Sequence, residues 1–362
     1  MKLARNASHV LFCYTLKVAS HIQTLTPRFV FRINNSAVQT TRNVFIRVED
    51  EEGFAGHGEG APSKFFGEYA DELQSKLLQA GQWLRGAGVR TVADIERIWL
   101  ECWGILQPFR AAQAALDIAL WDLVAKREGK SVTELAFGEK PQTVKSFVTI
   151  GLSDAEELKI KVAELHGYPL IKVKMDRGVD LAALRFIREQ TGATLAVDAN
   201  RAWKNVDLPA LSAQLAELGV IFIEQPLPVE NDKRMMDILP GSKLPILADE
   251  SCAVLEDVEK MTGLYSGFNI KLSKCGGLTP ALKMLKRGRE LGLQVMVGCR
   301  LESSLSIAAG AVIAQKTDHA DLDGAWLLGD DPFSGLPLRK GELEPARDHG
   351  LGVLPVDGMF RD

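Results

Sequence analysis

Two lysines and three acidic residues recur in this chain at an interval of about one structural unit. Lys174, Asp198, Glu224, Asp249 and Lys271 follow one another at spacings of 24, 26, 25 and 22 residues. A strand, a loop, a helix and a second loop consume about that length, and repeated units of this kind close into a parallel barrel with its chemistry at the C-terminal rim of the strands. Three carboxylates on one rim repel one another unless a cation neutralises them, so a metal is expected at Asp198, Glu224 and Asp249. An all-oxygen donor set selects a hard cation, favouring Mg²⁺, with Mn²⁺ as a substitute, over zinc. Lysine acts as a base only when its pKa falls towards neutrality. A nearby metal, partial burial and a like-charged neighbour (Lys172 for Lys174, Lys274 for Lys271) would all push that way. Taken singly, each residue would read as a solvated or salt-bridged group; the shared register is what argues for chemistry.

The hydrophobic pattern supplies the elements that must position them. Short apolar strands are expected at 144–150, 170–175, 194–198, 220–224, 245–249, 267–272, 293–298 and 320–322, separated by helix-length segments. Strand alternation points Lys172 and Lys174 to the same side, into the barrel. From about 70 to 129 apolar residues recur at helical spacing, most clearly at Ala115, Leu116, Ala119, Leu120, Leu123 and Val124. The N-terminal stretches 11–18, 29–33 and 43–48 read as an antiparallel meander. The segment 53–62, with Gly53, Gly56, Gly58, Gly60 and Pro62, reads as a turn and mobile loop, a candidate lid. An α+β domain over 1–140, a barrel over 141–324 and a tail over 325–362 that returns to the first domain are the expected divisions.

Composition narrows the class. The chain has 362 residues, 46% hydrophobic and 25% charged, with a net charge of -4, as a globular protein able to bury a large core would have. Cys13, Cys102, Cys252, Cys275 and Cys299 are odd in number and lack a C-x-x-C pair, which argues against disulfides or a zinc finger. Cys252, Cys275 and Cys299 follow strands five, six and seven, where packing is a better account than a soft-metal site. No apolar run reaches membrane-span length and no signal-like core follows Met1, so a cytoplasmic location is expected. Mixed charges leave no footprint for nucleic acid. A small-molecule partner is expected, and a homo-oligomer is compatible with the sequence. Gly276 and Gly277 before a helix offer only weak support for a phosphate site.

Five segments, Lys172-Val173-Lys174, Asp198-Ala199-Asn200, Glu224-Gln225-Pro226, Ala248-Asp249-Glu250-Ser251 and Lys271-Leu272-Ser273-Lys274-Cys275-Gly276-Gly277, resemble in order and position those of the enolase superfamily, in its muconate-lactonizing enzyme subgroup. The resemblance implies an α/β fold, a (β/α)7β TIM-like barrel under an N-terminal α+β capping domain that the C-terminal tail completes. It also implies Mg²⁺ on Asp198, Glu224 and Asp249 and proton abstraction beside a carboxylate through an enediolate. Ala320-Asp321-Leu322-Asp323-Gly324 is similar to the Asp-x-Asp of dipeptide epimerases, which implies that Asp321 and Asp323 receive an α-ammonium group. Lys174 and Lys271 would then work on opposite faces of the α-carbon, with Lys274 the less favoured base and with Lys172 and Thr149 among the substrate contacts. o-Succinylbenzoate synthase or a muconate-type cycloisomerase would use the same metal and lysines. Specificity contacts are expected from 26–36, 56–68 and 298–303. Arg300 suits a side-chain carboxylate, as an L-Ala-D/L-Glu substrate would present, or pairs with Glu302 and leaves another dipeptide preferred. His57, Arg28 and Arg32 are further candidate contacts.

Overall fold

A computed structural model describes residues 15–33, 36–345, 348–356 and 358–360. Residues 11–14 of the first expected strand, with Cys13, and Asn34 and Asn35 of the expected lid lie outside them. The chain opens with β1 (Lys17–Leu25), a short hairpin of β2 (Phe31–Ile33) and β3 (Ser36–Val38), then β4 (Thr41–Glu49) and β5 (Ala55–Gly60). β4 is the middle of a three-stranded antiparallel sheet, paired with β1 from Lys17↔Glu49 to Leu25↔Thr41 and with β5 from Val44↔Gly60 to Glu49↔Ala55. Four helices follow: α1 (Ala70–Leu84), α2 (Val92–Leu106), α3 (Arg110–Arg127) and α4 (Val132–Phe137). Thr91 and Asp94 form a capping box that starts α2 by satisfying two of its free N–H groups.

The segment 53–62 departs most from the sequence expectation. It is no mobile lid: residues 56–60 of β5 are buried. A Cβ on Gly56, Gly58 or Gly60 would stand 2.0, 1.9 or 2.3 Å from the carbonyl oxygens of Ala119, Ala115 and Ala111 respectively. Glycines two apart on a strand advance about 6.6 Å and alanines four apart on a helix about 6 Å, so the two rows match. Gly56, Gly58 and Gly60 admit α3 against the sheet and make no turn, whereas Gly53, with φ +87° and its N–H on Asp50 O, does serve the turn between β4 and β5. In keeping with this, every residue from Ala111 to Ala125 is buried, the pattern of a helix enclosed on all sides.

The second part alternates strands and helices: β6 (Val144–Lys145), β7 (Val148–Ile150), α5 (Ala155–Glu164), β8 (Leu170–Lys174), α6 (Leu181–Gln190), β9 (Thr194–Asp198), α7 (Leu208–Glu217) and β10 (Val220–Glu224). It continues with α8 (Met235–Ile238), β11 (Ile246–Ala248), β12 (Gly267–Lys271), α9 (Leu272–Cys275), α10 (Leu278–Glu290), β13 (Gln294–Gly298), α11 (Ser304–Ala314) and β14 (His319–Asp321). The eight strands β7 to β14 are neighbours in chain order. Phe147 N donates to Ala320 O at 2.8 Å across the remaining gap, so the sheet closes as a TIM-like barrel. Asp154, Asp180, Asp207 and Ser303 cap α5, α6, α7 and α11, ending the loops on the rim that carries the candidate site. Among the described residues no helix is long and apolar enough to cross a membrane.

The strand expected at 144–150 divides, because Ser146 Oγ turns to accept Leu322 N at 2.7 Å and Ser146 N donates to Gly341 O. β6 is thereby released to the tail, whose strands are β15 (Phe333–Ser334), β16 (Leu338–Arg339), β17 (Glu342–Leu343) and β18 (Leu354–Pro355). β17 pairs with β6. Phe333 stacks on Phe45 with ring centroids 5.7 Å apart, and Leu351 N donates to Asp122 Oδ1 on α3 at 2.8 Å, so the tail packs back on the N-terminal sheet and helices.

α3 is joined to the barrel through Asp117, whose carboxylate accepts Thr279 N and Oγ1 at the start of α10. Burial pushes Asp117 up to about 7 against those donors. Its folded pKa thus lies above the unfolded value of about 3.9, and its contribution to stability is complete below that value and lost as pH rises to the folded one. Relative to Asp117→Asn, the wild-type unfolding free energy should fall by roughly 4 kcal/mol over that interval. Urea titrations of both proteins at several pH values check this; parallel profiles would refute it.

Candidate active site

Side-chain alternation decides what reaches the barrel mouth. Phe147, Ala196, Phe222, Leu247 and Met296 form an apolar cluster inside the barrel. Asp198, Glu224 and Asp249 stand two residues beyond Ala196, Phe222 and Leu247, on the same side of their chain segments and one layer higher. Register sets the level: Lys174 is opposite Asp198, and Asp198 opposite Glu224. Asp249 follows the last residue of β11, and Lys271 ends β12.

The acids and lysines interlock. Lys172 is 1% exposed, with Nζ 3.0 Å from Glu224 and 3.9 Å from Asp198, and it also pairs with Asp321. Lys174 Nζ donates to Asp198 at 2.5 Å and Lys271 Nζ to Asp249 at 2.6 Å. Lys274 Nζ donates to Asp249 Oδ1 at 2.9 Å and to the carbonyls of Asp249 and Asn269, so three acceptors hold it. Repulsion among the carboxylates is relieved here by ammonium groups. Among the described residues no three acidic, histidine or cysteine side chains are gathered closely enough to hold a metal ion as they stand.

Protonation follows this pairing. Burial would raise Glu224, but Lys172 outweighs it and holds the acid at about 2. Burial likewise opposes ionisation of Asp249, and Lys271 with Lys274 carries it well below the usual range. Asp198 is raised by burial and by Glu224. At Lys271 the neighbouring acids act against the expected fall. Burial favours loss of the proton from Lys271, yet Asp249, Glu224 and Asp198 outweigh it and hold the ammonium above its ordinary value. Lys172 is raised in the same way, against its burial, by Asp321 and Glu224.

The residues fit a hard divalent cation. Asp198 and Glu224 are fully buried and Asp249 nearly so, all three offer oxygen, and the Oδ1 atom of Asn269 is buried without a partner beside them. Asn269 Nδ2 donates to Glu224 Oε1 at 2.7 Å, a contact that fixes the orientation of this carboxylate.

Above this layer opens a cavity of about 610 Å³. Lys172, Lys174, Asp249 and Lys271 face it, as do Thr149 on β7, next to β8, and Asp321 and Asp323 at the end of β14, next to β7 in the closed ring. Thr149 N donates to Asp323 Oδ2 at 2.6 Å and its hydroxyl to Asp321 at 3.3 Å. Burial and the adjacent Asp321 push Asp323 up to about 7. The cover comes from the N-terminal part: Phe31, Val38 and a 3₁₀ turn at Lys64–Phe66 with Phe65 and Phe66 exposed. Arg300 is fastened to this cover, donating from Nη1 to Ala61 O at 2.5 Å and lying 3.9 Å from Glu68. Its side chain does not pair with Glu302, which accepts Arg300 N and Ser273 Oγ instead.

Other expected contacts lie elsewhere. His57 is buried on β5 between Phe333 and Phe360, at 5.9 and 5.5 Å between ring centroids. Arg28 and Arg32 pair with Glu164 and Glu157 at 2.6 Å each, and neither lines the cavity. Burial raises the thiols of Cys252 and Cys275 to about 12, as packing residues. The start of α10 beyond Gly277 is already occupied by the Asp117 carboxylate, which bars a phosphate there.

Gln225 and Arg201 were missed by sequence reasoning. The fully buried Gln225 side chain accepts Asp249 N at 2.8 Å and Ser251 N at 3.1 Å, and donates to Leu227 O, Ser251 Oγ and Tyr265 OH. It therefore fixes the segment carrying Asp249. Its place between Glu224 and Pro226 was the available signal. Arg201 stands on the cavity wall beside Glu250.

Residues 154–357 match the family profile described as enolase C-terminal domain-like, and residues 15–136 that of the mandelate racemase / muconate lactonizing enzyme N-terminal domain. A hydrophobic dipeptide epimerase of Roseobacter litoralis is 35% identical over 93% of this chain and 98% of its own length. An L-Ala-D/L-Glu epimerase of Escherichia coli is 34% identical over 91% and 99%. A dipeptide epimerase structure from Enterococcus faecalis, complexed with Mg and the dipeptide L-Leu-L-Tyr, superposes with a TM-score of 0.87 at 28% identity, covering 94% of this chain and 99% of that one.

Proposed function

The chain belongs to the enolase superfamily, in its mandelate racemase / muconate lactonizing enzyme family, and from that premise we propose that it is a Mg²⁺-dependent dipeptide epimerase that inverts the α-carbon of the C-terminal residue. One observation carries the reading. In a ring of eight strands those four places apart face each other across the axis, and Lys174 on β8 and Lys271 on β12 are so related. An epimerase needs one proton acceptor on each face of the reacting carbon, and this placement provides it. β10, with Glu224, and β14, with Asp321, form the second opposed pair. A dipeptide lying along that line would have its ammonium group at Asp321 and Asp323 and its carboxylate towards Asp198, Glu224 and Asp249.

Mg²⁺ held by those three acids would stabilise the second negative charge that develops on the substrate carboxylate. Lys172, buried beneath, adds a fixed positive charge to the same end, and Thr149 holds Asp321 and Asp323 in place. Neutral Nζ of one lysine takes the α-proton, and the ammonium of the other delivers a proton to the opposite face. Asp198 and Asp249 aim the two Nζ atoms. On side-chain preference, Arg300 supports an L-Ala-D/L-Glu substrate by adding positive charge to the cavity, although its guanidinium is already fastened to Ala61 O.

The test is incubation of the Mg²⁺-loaded protein with a dipeptide library in D₂O, reading deuterium at the C-terminal α-carbon. Exchange and inversion are expected, with a loss of at least about 100-fold when a chelator removes the metal. Absence of exchange with every dipeptide, alongside turnover of a succinylbenzoate precursor or a muconate, would overturn the reading.

A further inference from the structure

Arg201 occupies a backbone conformation that glycine would enter freely. Asn200 and Arg201 have φ values of +41° and +67°, both in the left-handed region. Arg201 N donates to Gln225 O at 2.8 Å, and this bond holds the turn. The side chain so placed lines the cavity with 31% of its surface open. Its guanidinium centre lies 4.3 Å from the Phe65 ring, and Nε is 2.8 Å from Glu250 Oε1. Stacking on an aromatic face and one carboxylate against Nε hold the planar group while leaving the two terminal nitrogens for a further partner.

Apart from Lys64, exposed on the cover turn, the other cations of the cavity are more fully engaged. Lys172, Lys174, Lys271 and Lys274 serve the carboxylates of the strand ends, and Arg300 is tied to Ala61 O. Seven cationic side chains line the cavity against four acidic ones. With Asp198 and Glu224 counted beneath them and one lysine neutral as the base, six cations face six acids, and a bound divalent metal would leave the site positive. A dipeptide with a neutral side chain brings no net charge to balance this, whereas one with an acidic side chain brings one negative charge.

We propose that Arg201, seated on Phe65, is the specificity-determining residue of this cavity and receives a carboxylate on the side chain of the C-terminal residue, so that acidic dipeptides are preferred. The inference rests on the epimerase reading and deepens it. A bidentate arginine–carboxylate contact discriminates against the isosteric amide by about tenfold or more.

The experiment compares kcat/KM for L-Ala-L-Glu and L-Ala-L-Gln in the wild type, Arg201→Gln and Arg300→Gln. The wild type should favour Glu over Gln by at least about tenfold, and Arg201→Gln should bring that ratio to within about threefold of unity. Equal use of both dipeptides by the wild type overturns this inference while leaving the epimerase intact. So does a ratio that survives Arg201→Gln or collapses only in Arg300→Gln. No exchange with any dipeptide overturns the epimerase reading and this inference with it.

Discussion

Lys271→Ala is expected to abolish net epimerisation while leaving exchange of the α-proton on one face, and Lys174→Ala to do the same with the opposite epimer. In the proposed two-base mechanism each inversion uses both lysines, so removing either would eliminate a required proton transfer. General acid–base groups contribute about 10² to 10⁴ in rate, and a fall in kcat of at least about 10³ is expected for each variant. The surviving lysine can still take and return a proton on its own side. Incubation in D₂O should therefore label one epimer without inverting it, and the labelled epimer should switch between the two variants. Wild-type inversion by either variant would show that the base is misassigned. Labelling of the same epimer by both would show that the lysines do not face each other across the substrate.

The two variants should differ in stability. Lys271→Ala leaves Asp249 paired with Lys274 at 2.9 Å. Lys174→Ala leaves Asp198 with Lys172 at 3.9 Å, a poorer partner for a fully buried acid. An uncompensated buried charge is strongly destabilising, so Lys174→Ala should be the less stable of the two in the absence of metal.

Gly58→Ala is expected to destabilise the fold by at least about 3 kcal/mol, far more than one methyl group ordinarily does. The added Cβ would lie 1.9 Å from Ala115 O and 2.9 Å from Ala119 N, so either β5 or α3 must move. Neither moves easily: α3 is enclosed along Ala111 to Ala125, and β5 is hydrogen-bonded to β4 from Ala55 to Gly60. Gly104→Ala is the matched comparison. It lies within α2 with nothing near its Cβ position, and the change should stabilise by about 0.5–1 kcal/mol through helix propensity. Denaturant titrations of both variants decide the matter. A Gly58→Ala protein within about 1 kcal/mol of wild type would mean that α3 does not press on β5 as described.

These predictions differ in how far they could be read without coordinates. Lys174 and Lys271 stood out because parallel barrel strands return at regular intervals and side chains alternate, so position in the unit nearly determines position on the rim. Gly58 misled for a related reason. Glycine signals both turns and close backbone approach, and only the presence of α3 opposite selects the second. The alanines at 111, 115 and 119 carried the complementary signal, but nothing local to 53–62 pointed to them. Arg300 and Arg201 show the same limit, since which arginine is tied to the cover and which keeps open surface depends on Ala61, Phe65 and Glu250 meeting from distant segments.

By itself the sequence determined the alternation of strands and helices, the row of acids and lysines along the strand ends, and the motifs that mark the superfamily. All of these follow from periodicities of two and 3.6 residues and from residue types within short windows. Only the tertiary structure decided that residues 56–60 form a buried strand, that the strand-end carboxylates pair with lysines, that Gln225 fixes the segment of Asp249, and that Arg201 lines the cavity. Those outcomes depend on desolvation and on partners brought together by closure of the barrel and by the N-terminal cover. Such long-range contacts leave no periodic trace along the chain.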